Sequence, residues 1–391
     1  MKAESYLSRG VSPSKDDVKQ AVSTQSPGIF PGSFCKIIED LAGDPAWCSA
    51  VHADGAGTKS SAAYLMYRET GDPSWFSGIA QDSLVMNTDD LLCIGAVDGF
   101  RISNTIGRNA HRVDAACLSA IINGYDLVIN QLKGHGIDLL MTGGETADVG
   151  DLVRTVICDS TVVVRLPRRN VIQAANIRPG QIIIGLASAG KTSYESTENS
   201  GIGSNGLTAA RHLLLHPDYL GKYPESCSET IPTGKAYCGS WHLEDPLPGT
   251  SLSIGQAILS PTRTYLPVMR RILPAVGHHI SGIIHCTGGG QVKCRDFGKG
   301  IRYVKENLFP VPAIFRAIQE SDEIKAAEMY QVFNMGHRME IYCDEAAMTE
   351  IQAICADFSL EARLIGYTEQ SERGEDNEVV IRAQGSTFVY H

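Results

Sequence analysis

Val51-His52-Ala53-Asp54-Gly55-Ala56-Gly57-Thr58-Lys59 runs from an apolar lead-in through an acid and two closely spaced glycines to a hydroxyl and an ammonium. That order suits a strand emptying into a loop that wraps phosphate groups. Glycine lets backbone N–H groups approach an anion, Thr58 adds a donor and Lys59 adds positive charge. Asp54 is placed to hold a divalent cation beside the phosphates. The spacing is not that of a Walker A loop, G-x-x-x-x-G-K-[ST].

Upstream, Ser12-Pro13-Ser14-Lys15-Asp16-Asp17 signals a helix start with Ser12 as N-cap, and Pro27 to Gly32 a loop. Downstream, Gln81 to Ala96 reads as a helix with one buried apolar face and its acids on the other. Ile137 to Met141 predicts a short strand followed by a turn through Thr142-Gly143-Gly144-Glu145-Thr146-Ala147-Asp148, and Thr161 to Leu166 a valine-rich strand. Pro167 to Asn170 is a break, which divides the chain into domains 1–169 and 170–391. Gln181 to Ala187 then predicts a buried strand, and Lys191 to Ser200 a mobile polar insertion. Gly201 to Gly206 opens a helix through Arg211 to Leu215, and Gly221 to Thr250 reads as a long irregular loop. Ser260-Pro261-Thr262-Arg263 predicts a helix start, Ile283 to Gly290 a strand ending in a glycine turn, and the last strands fall near Leu364 and at Val379 to Ile381. Two mixed α/β (α+β) domains facing one another follow, with a site in the cleft between them.

The chain of 391 residues carries a net charge of −10, which argues against general nucleic-acid binding. No apolar run reaches the length of a membrane span, and Met1 to Gly10 lacks the apolar core of a signal peptide. Eleven scattered cysteines without a C-x-x-C pair read as free thiols in a reducing compartment, the cytoplasm.

Asp54, Asp82, Asp89, Asp90, Glu145, Asp148, Asp151 and Asp159 gather beside glycine turns. Clustered carboxylates repel unless cations bind them, and oxygen-only donors suit Mg²⁺. Gly143-Gly144-Glu145 and Thr287-Gly288-Gly289-Gly290 are either plain turns or anion-binding nests. His285 is either a proton-transfer group or a satisfied core histidine. No nucleophile signature points to a covalent mechanism.

Taken in order, Asp54 to Lys59, Asp89-Asp90-Leu91-Leu92, Gly143 to Ala147, Ser204-Asn205-Gly206, Pro261 to Tyr265, Thr287 to Gly290 and Met329 to Gly336 resemble the aminoimidazole ribonucleotide synthetase (phosphoribosylformylglycinamidine cyclo-ligase) family. The resemblance implies an N-terminal domain whose sheet is shared across a homodimer, and ATP-dependent closure of formylglycinamidine ribonucleotide to aminoimidazole ribonucleotide. By that resemblance Asp54 and Asp90, with Asp148, hold Mg²⁺. Gly55, Gly57, Thr58, Lys59, Gly143, Gly144 and Glu145 hold ATP. Ser204, Asn205, Gly206, Thr287, Gly288 and Gly289 hold the substrate. Asp54, Lys59, Asp90 and His285 are the expected catalytic set. The chain departs from the family pattern at Gly203, where a histidine usually stands, at Asp89 for an asparagine, and at His337-Arg338. His285 or His337 is the expected replacement for the lost histidine. The same superfamily includes thiamine-monophosphate kinase, the hydrogenase-maturation carbamoyl dehydratase and selenophosphate synthetase, the last echoed faintly by Cys35-Lys36. A phosphoryl-transfer kinase and a non-catalytic nucleotide-binding homologue are the alternative readings.

Overall fold

A computed structural model describes residues 4–11, 16–232, 234–321 and 324–391. Its first sheet contains β1 (Ile38–Glu39), β2 (Trp47–Gly55), β3 (Phe100–Arg108), β4 (Leu139–Asp148) and β5 (Val156–Pro167), in the order β1-β2-β5-β3-β4. Only β3 and β4 pair in parallel, and the Ala115–Gly134 helix supplies their crossover. Alternation decides the faces. Cys48, Ala50, Cys158, Val162 and Val164 are buried on one face, where the Tyr125 hydroxyl of the crossover helix lies 2.8 Å from Ser160 Oγ. The opposite face leaves Val51, Leu140 and Ile157 exposed.

The second sheet contains β6 (Ile182–Ala187), β7 (Ile280–His285), β8 (Ile301–Lys305), β9 (His337–Cys343), β10 (Ala362–Gln370), β11 (Glu378–Ala383) and β12 (Ser386–Tyr390). Its order is β12-β11-β8-β10-β6-β9-β7, antiparallel except between β8 and β11. The last strand of the first sheet thus ends at Pro167, and the first strand of the second begins at Ile182.

The Ser77–Leu92 helix lies between the first sheet and the second domain. Its acids were expected on a solvent face, but Asp82 and Asp89 are fully buried and Asp90 nearly so. The second domain covers that face and supplies their partners. Thr262 N donates to Asp82 Oδ1 at 2.8 Å, and Thr264 Oγ1 donates to Asp89 Oδ1 at 2.8 Å.

Three further expectations are corrected. Gly143-Gly144-Glu145 is not a turn after a short strand, because β4 runs on to Asp148 through a bulge opposite Ile102 and Ser103. Lys191–Ser200 is pinned rather than loose. Arg263 Nε donates to Glu195 Oε1 at 2.9 Å, Tyr194 Oη donates to the Thr264 carbonyl, and Asn199 pairs with Gly190. Ser260–Arg263 does not start a helix. The Ile254–Leu259 helix ends there, and the next begins at Leu266, with Pro267 in its first turn. Helix Asp16–Ala21 is present, while its expected cap Ser12 lies outside the described residues.

Candidate active site

Strand pairing places the acids. Asp54, Ser160, Asn104 and Gly144 form one row across β2, β5, β3 and β4, and Gly55, Asp159, Thr105 and Glu145 form the next. Two glycines make room for side chains from the neighbouring strand. A Cβ on Gly55 would sit 1.7 Å from Asp159 Oδ1, and one on Gly144 would sit 1.7 Å from Asn104 Oδ1. The carboxylate of Asp159 therefore lies over Gly55, on the sheet face that carries Ile157. Burial pushes its carboxyl up, and the charge of Asp54 pushes it further.

Asp90 faces the same cleft from the Ser77–Leu92 helix, between two imidazoles. His285 Nδ1 lies 2.6 Å from its Oδ1, and His52 Nε2 lies 3.4 Å from its Oδ2. Asn87 holds the other nitrogen of His52 at 2.9 Å, while its amide group donates to the carbonyls of Asp54, Ser83 and Ser160. The cleft, about 480 Å³, is lined by His52, Asp54 and Asp90 on one side. Asn205, the Thr287-Gly288-Gly289 turn, Lys293 and Arg295 line the other. Asp296 lines that side as well, 3.8 Å from Lys293 Nζ.

Other expected site residues lie elsewhere. Lys59 is fully buried, with Nζ bonded to Asp82 Oδ1 at 2.8 Å and to the carbonyls of Gly203 and Ser260. This ammonium has three partners joining the two domains and does not line the cleft. Ser204 belongs to the same knot, its hydroxyl 3.0 Å from Asp82 Oδ1 and 2.7 Å from Thr262 Oγ1. Gly57 has φ +57° in the turn before the Lys59–Thr70 helix, and Thr58 Oγ1 meets Thr208 Oγ1 of the second domain at 2.9 Å. Gly206 precedes the Leu207–Leu214 helix, with the Phe333 ring packed on it. Glu145 is exposed on edge strand β4, close to the bulge at Gly143. Asp148 pairs with Arg108 at 2.8 Å and does not line the cleft.

Neither expected replacement histidine meets the cleft. His285 is wholly buried behind Asp90, and His337 is buried against Glu340 at 2.9 Å. At Gly203 the space for a side chain is bounded by Arg338, whose Nη1 would be 3.5 Å from a Cβ there. Arg338 in turn bonds to the Arg263 carbonyl and lies 3.6 Å from Asp89. The three departures at 89, 203 and 338 are thus neighbours in space. His52, Lys293 and Arg295 line the cleft and were missed as site residues, while Asp159, one of the expected acids, does not line it. The period of a strand signals His52, two residues from Asp54 on the same face, and Lys293 and Arg295 follow the glycine turn directly. Cys35 is buried and donates to the Asp90 carbonyl. Burial raises its thiol well above the usual range, so the echo of a reactive cysteine is not supported.

Residues 36–164 match the N-terminal domain, and residues 245–376 the C-terminal domain, of AIR synthase related proteins. The fold and cleft define a two-domain protein of that class. Among curated relatives, the phosphoribosylformylglycinamidine cyclo-ligase of Pyrococcus furiosus is 31% identical over 349 residues, spanning 87% of this chain and 83% of its own. That of Methanothermobacter thermautotrophicus is 28% identical over 331 residues, spanning 84% and 82%. The chain belongs to the phosphoribosylformylglycinamidine cyclo-ligase family. Solved structures share the fold at low identity. Hydrogenase Maturation Protein HypE has a TM-score of 0.53 at 12% identity over 90% of each chain. AaThiL complexed with AMPPCP and TMP has a TM-score of 0.52 at 9% identity, covering 96% of this chain and 95% of that one.

Proposed function

We propose that this chain closes the imidazole ring of aminoimidazole ribonucleotide from formylglycinamidine ribonucleotide, consuming ATP and releasing ADP and phosphate. The observation that carries the reading is the cleft itself, with Asp54 and Asp90 facing a glycine turn, Lys293 and Arg295. Family membership supports the same reaction.

An amide oxygen leaves poorly. Phosphoryl transfer from ATP to the formyl oxygen gives an iminophosphate, a nitrogen of the same substrate attacks the formyl carbon, and phosphate departs with the oxygen. Such a step depends on positioned charge rather than on a protein nucleophile. Asp54 and Asp90 are the cleft's oxygen donors that fit Mg²⁺, which would neutralise the transferring phosphoryl charge when bound. The Thr287–Gly289 turn, Lys293 and Arg295 bind the ribonucleotide phosphate, and Asn205 orients the amidine. His52 and His285 fix the carboxylate of Asp90 from two sides. Lys59 serves the reaction by holding the domains in register.

A homodimer through the open face of the first sheet completes the reading, since Val51, Leu140 and Ile157 lie exposed there. No helix among the described residues is long and apolar enough to cross a membrane. The eleven unpaired cysteines fit the cytoplasm.

ADP release with Mg-ATP, measured with and without formylglycinamidine ribonucleotide while aminoimidazole ribonucleotide is followed, tests the proposal. Equal amounts of ADP and aminoimidazole ribonucleotide are expected. A stable product that retains the phosphoryl group transferred from ATP, or ATP binding without turnover, would overturn it.

A further inference from the structure

The second domain carries a cluster of metal-ligating side chains that the proposed reaction does not use. His216 follows the Leu207–Leu214 helix, Asp218 opens the next short helix, and His242 lies in the irregular segment that returns to them. A bridge between Leu215 and Trp241, with His216 N donating to the Trp241 carbonyl at 2.9 Å, brings the two histidines together. Their rings stack with centroids 4.7 Å apart.

We propose that His216, Asp218 and His242 form a site for a borderline-soft divalent cation of the Zn²⁺ type. His216 Nδ1 lies 3.3 Å and His242 Nε2 3.7 Å from Asp218 Oδ2, and all three ligand atoms fall within 4.8 Å of one another. Ligands about 2.0–2.1 Å from a tetrahedral ion stand about 3.3–3.4 Å apart, so small side-chain movements complete the set. Two imidazoles and one carboxylate leave a fourth position for water, a donor set that suits Zn²⁺ and not Mg²⁺. Asp245 Oδ2 faces Nδ1 of His242 at 3.8 Å and accepts from its backbone N–H at 2.7 Å, so a carboxylate backs the ligating ring. A second cluster, Cys286, His337 and Glu340, carries no such proposal. Lys305 already supplies its cation against Glu340, and burial holds the Cys286 thiol protonated.

The ion would staple the 221–250 segment to the end of the Leu207–Leu214 helix, which starts directly after Ser204-Asn205-Gly206. Co²⁺ titration of the metal-free full-length protein, read by visible d–d absorption, and calorimetry with Zn²⁺ test the site. One equivalent of Co²⁺ with tetrahedral bands, displaced by Zn²⁺ and not by Mg²⁺, is expected, together with a rise in Tm on adding Zn²⁺. In Asp218→Asn and in the double variant His216→Asn, His242→Gln, affinity falls at least about tenfold and the rise in Tm disappears. All three side chains are at least one-third exposed, so these variants keep the parent's circular dichroism. Absence of the bands, or bands that persist in the double variant, would overturn the proposal.

Discussion

Lys59 and Asp82 are a buried ion pair with the second domain closed over it. Removing the ammonium leaves a carboxylate with no counter-charge in a dry interior. Lys59→Met is therefore expected to lower stability by about 3–5 kcal/mol in urea unfolding. An unchanged midpoint with weakened ATP binding would instead restore Lys59 to the phosphates. Asp54 makes the opposite case. It lines the cleft with Asp90, and Asp54→Asn is expected to raise the Mg²⁺ concentration needed for ADP release by at least about tenfold while leaving Tm near the parent's. A Mg²⁺ dependence identical to the parent's would remove Asp54 from the metal site. The motif around residues 54–59 was legible as a strand, loop and charge pattern. Which of its charges meets solvent was not, because that depends on what the second domain lays over each one.

Among the elements, the Leu207–Leu214 helix carries a pH-sensitive residue. His212 is buried and accepts from Tyr237 N at 3.1 Å. Burial, with the charges of Arg211 and Arg9, lowers its pKa to about 2. Above about pH 6.5 the ring is neutral in both the folded and unfolded chain and adds no pH dependence. Below that, the unfolded chain takes up a proton that the folded one refuses. Stability then falls with pH by up to about 1.4 kcal/mol per unit until the folded pKa is reached. His212→Gln keeps an acceptor for Tyr237 and is expected to flatten the unfolding free energy between pH 6.5 and 5. An equal slope in both proteins would refute the assignment. The helix itself was visible in the sequence, as were β2, β6 and β7. The continuation of β4 past Met141 was not, because its glycines belong to a bulge whose partner is β3, far away in the chain.

At the scale of the whole molecule, one face of the first sheet is covered by helices and the other is open. Ile157 on that open face is 42% exposed, so Ile157→Lys is expected to convert a dimer into a monomer in light scattering without loss of secondary structure. A monomeric parent, or a dimeric variant, would place the interface elsewhere. By itself the sequence pointed to two mixed α/β domains, because strand period and glycine turns are local properties of the chain, and its family resemblance brought Asp54, Asp90, Asn205 and the Thr287–Gly289 turn forward as site residues. Only the tertiary structure decided that Asp82 and Asp89 lock the domains, that Asp148 pairs with Arg108, and that His52, Lys293 and Arg295 complete the cleft. A carboxylate or an ammonium has the same local signature whether it binds a ligand or closes an interface. The choice is made by desolvation and by the nearest opposite charge, both supplied by residues distant in the chain.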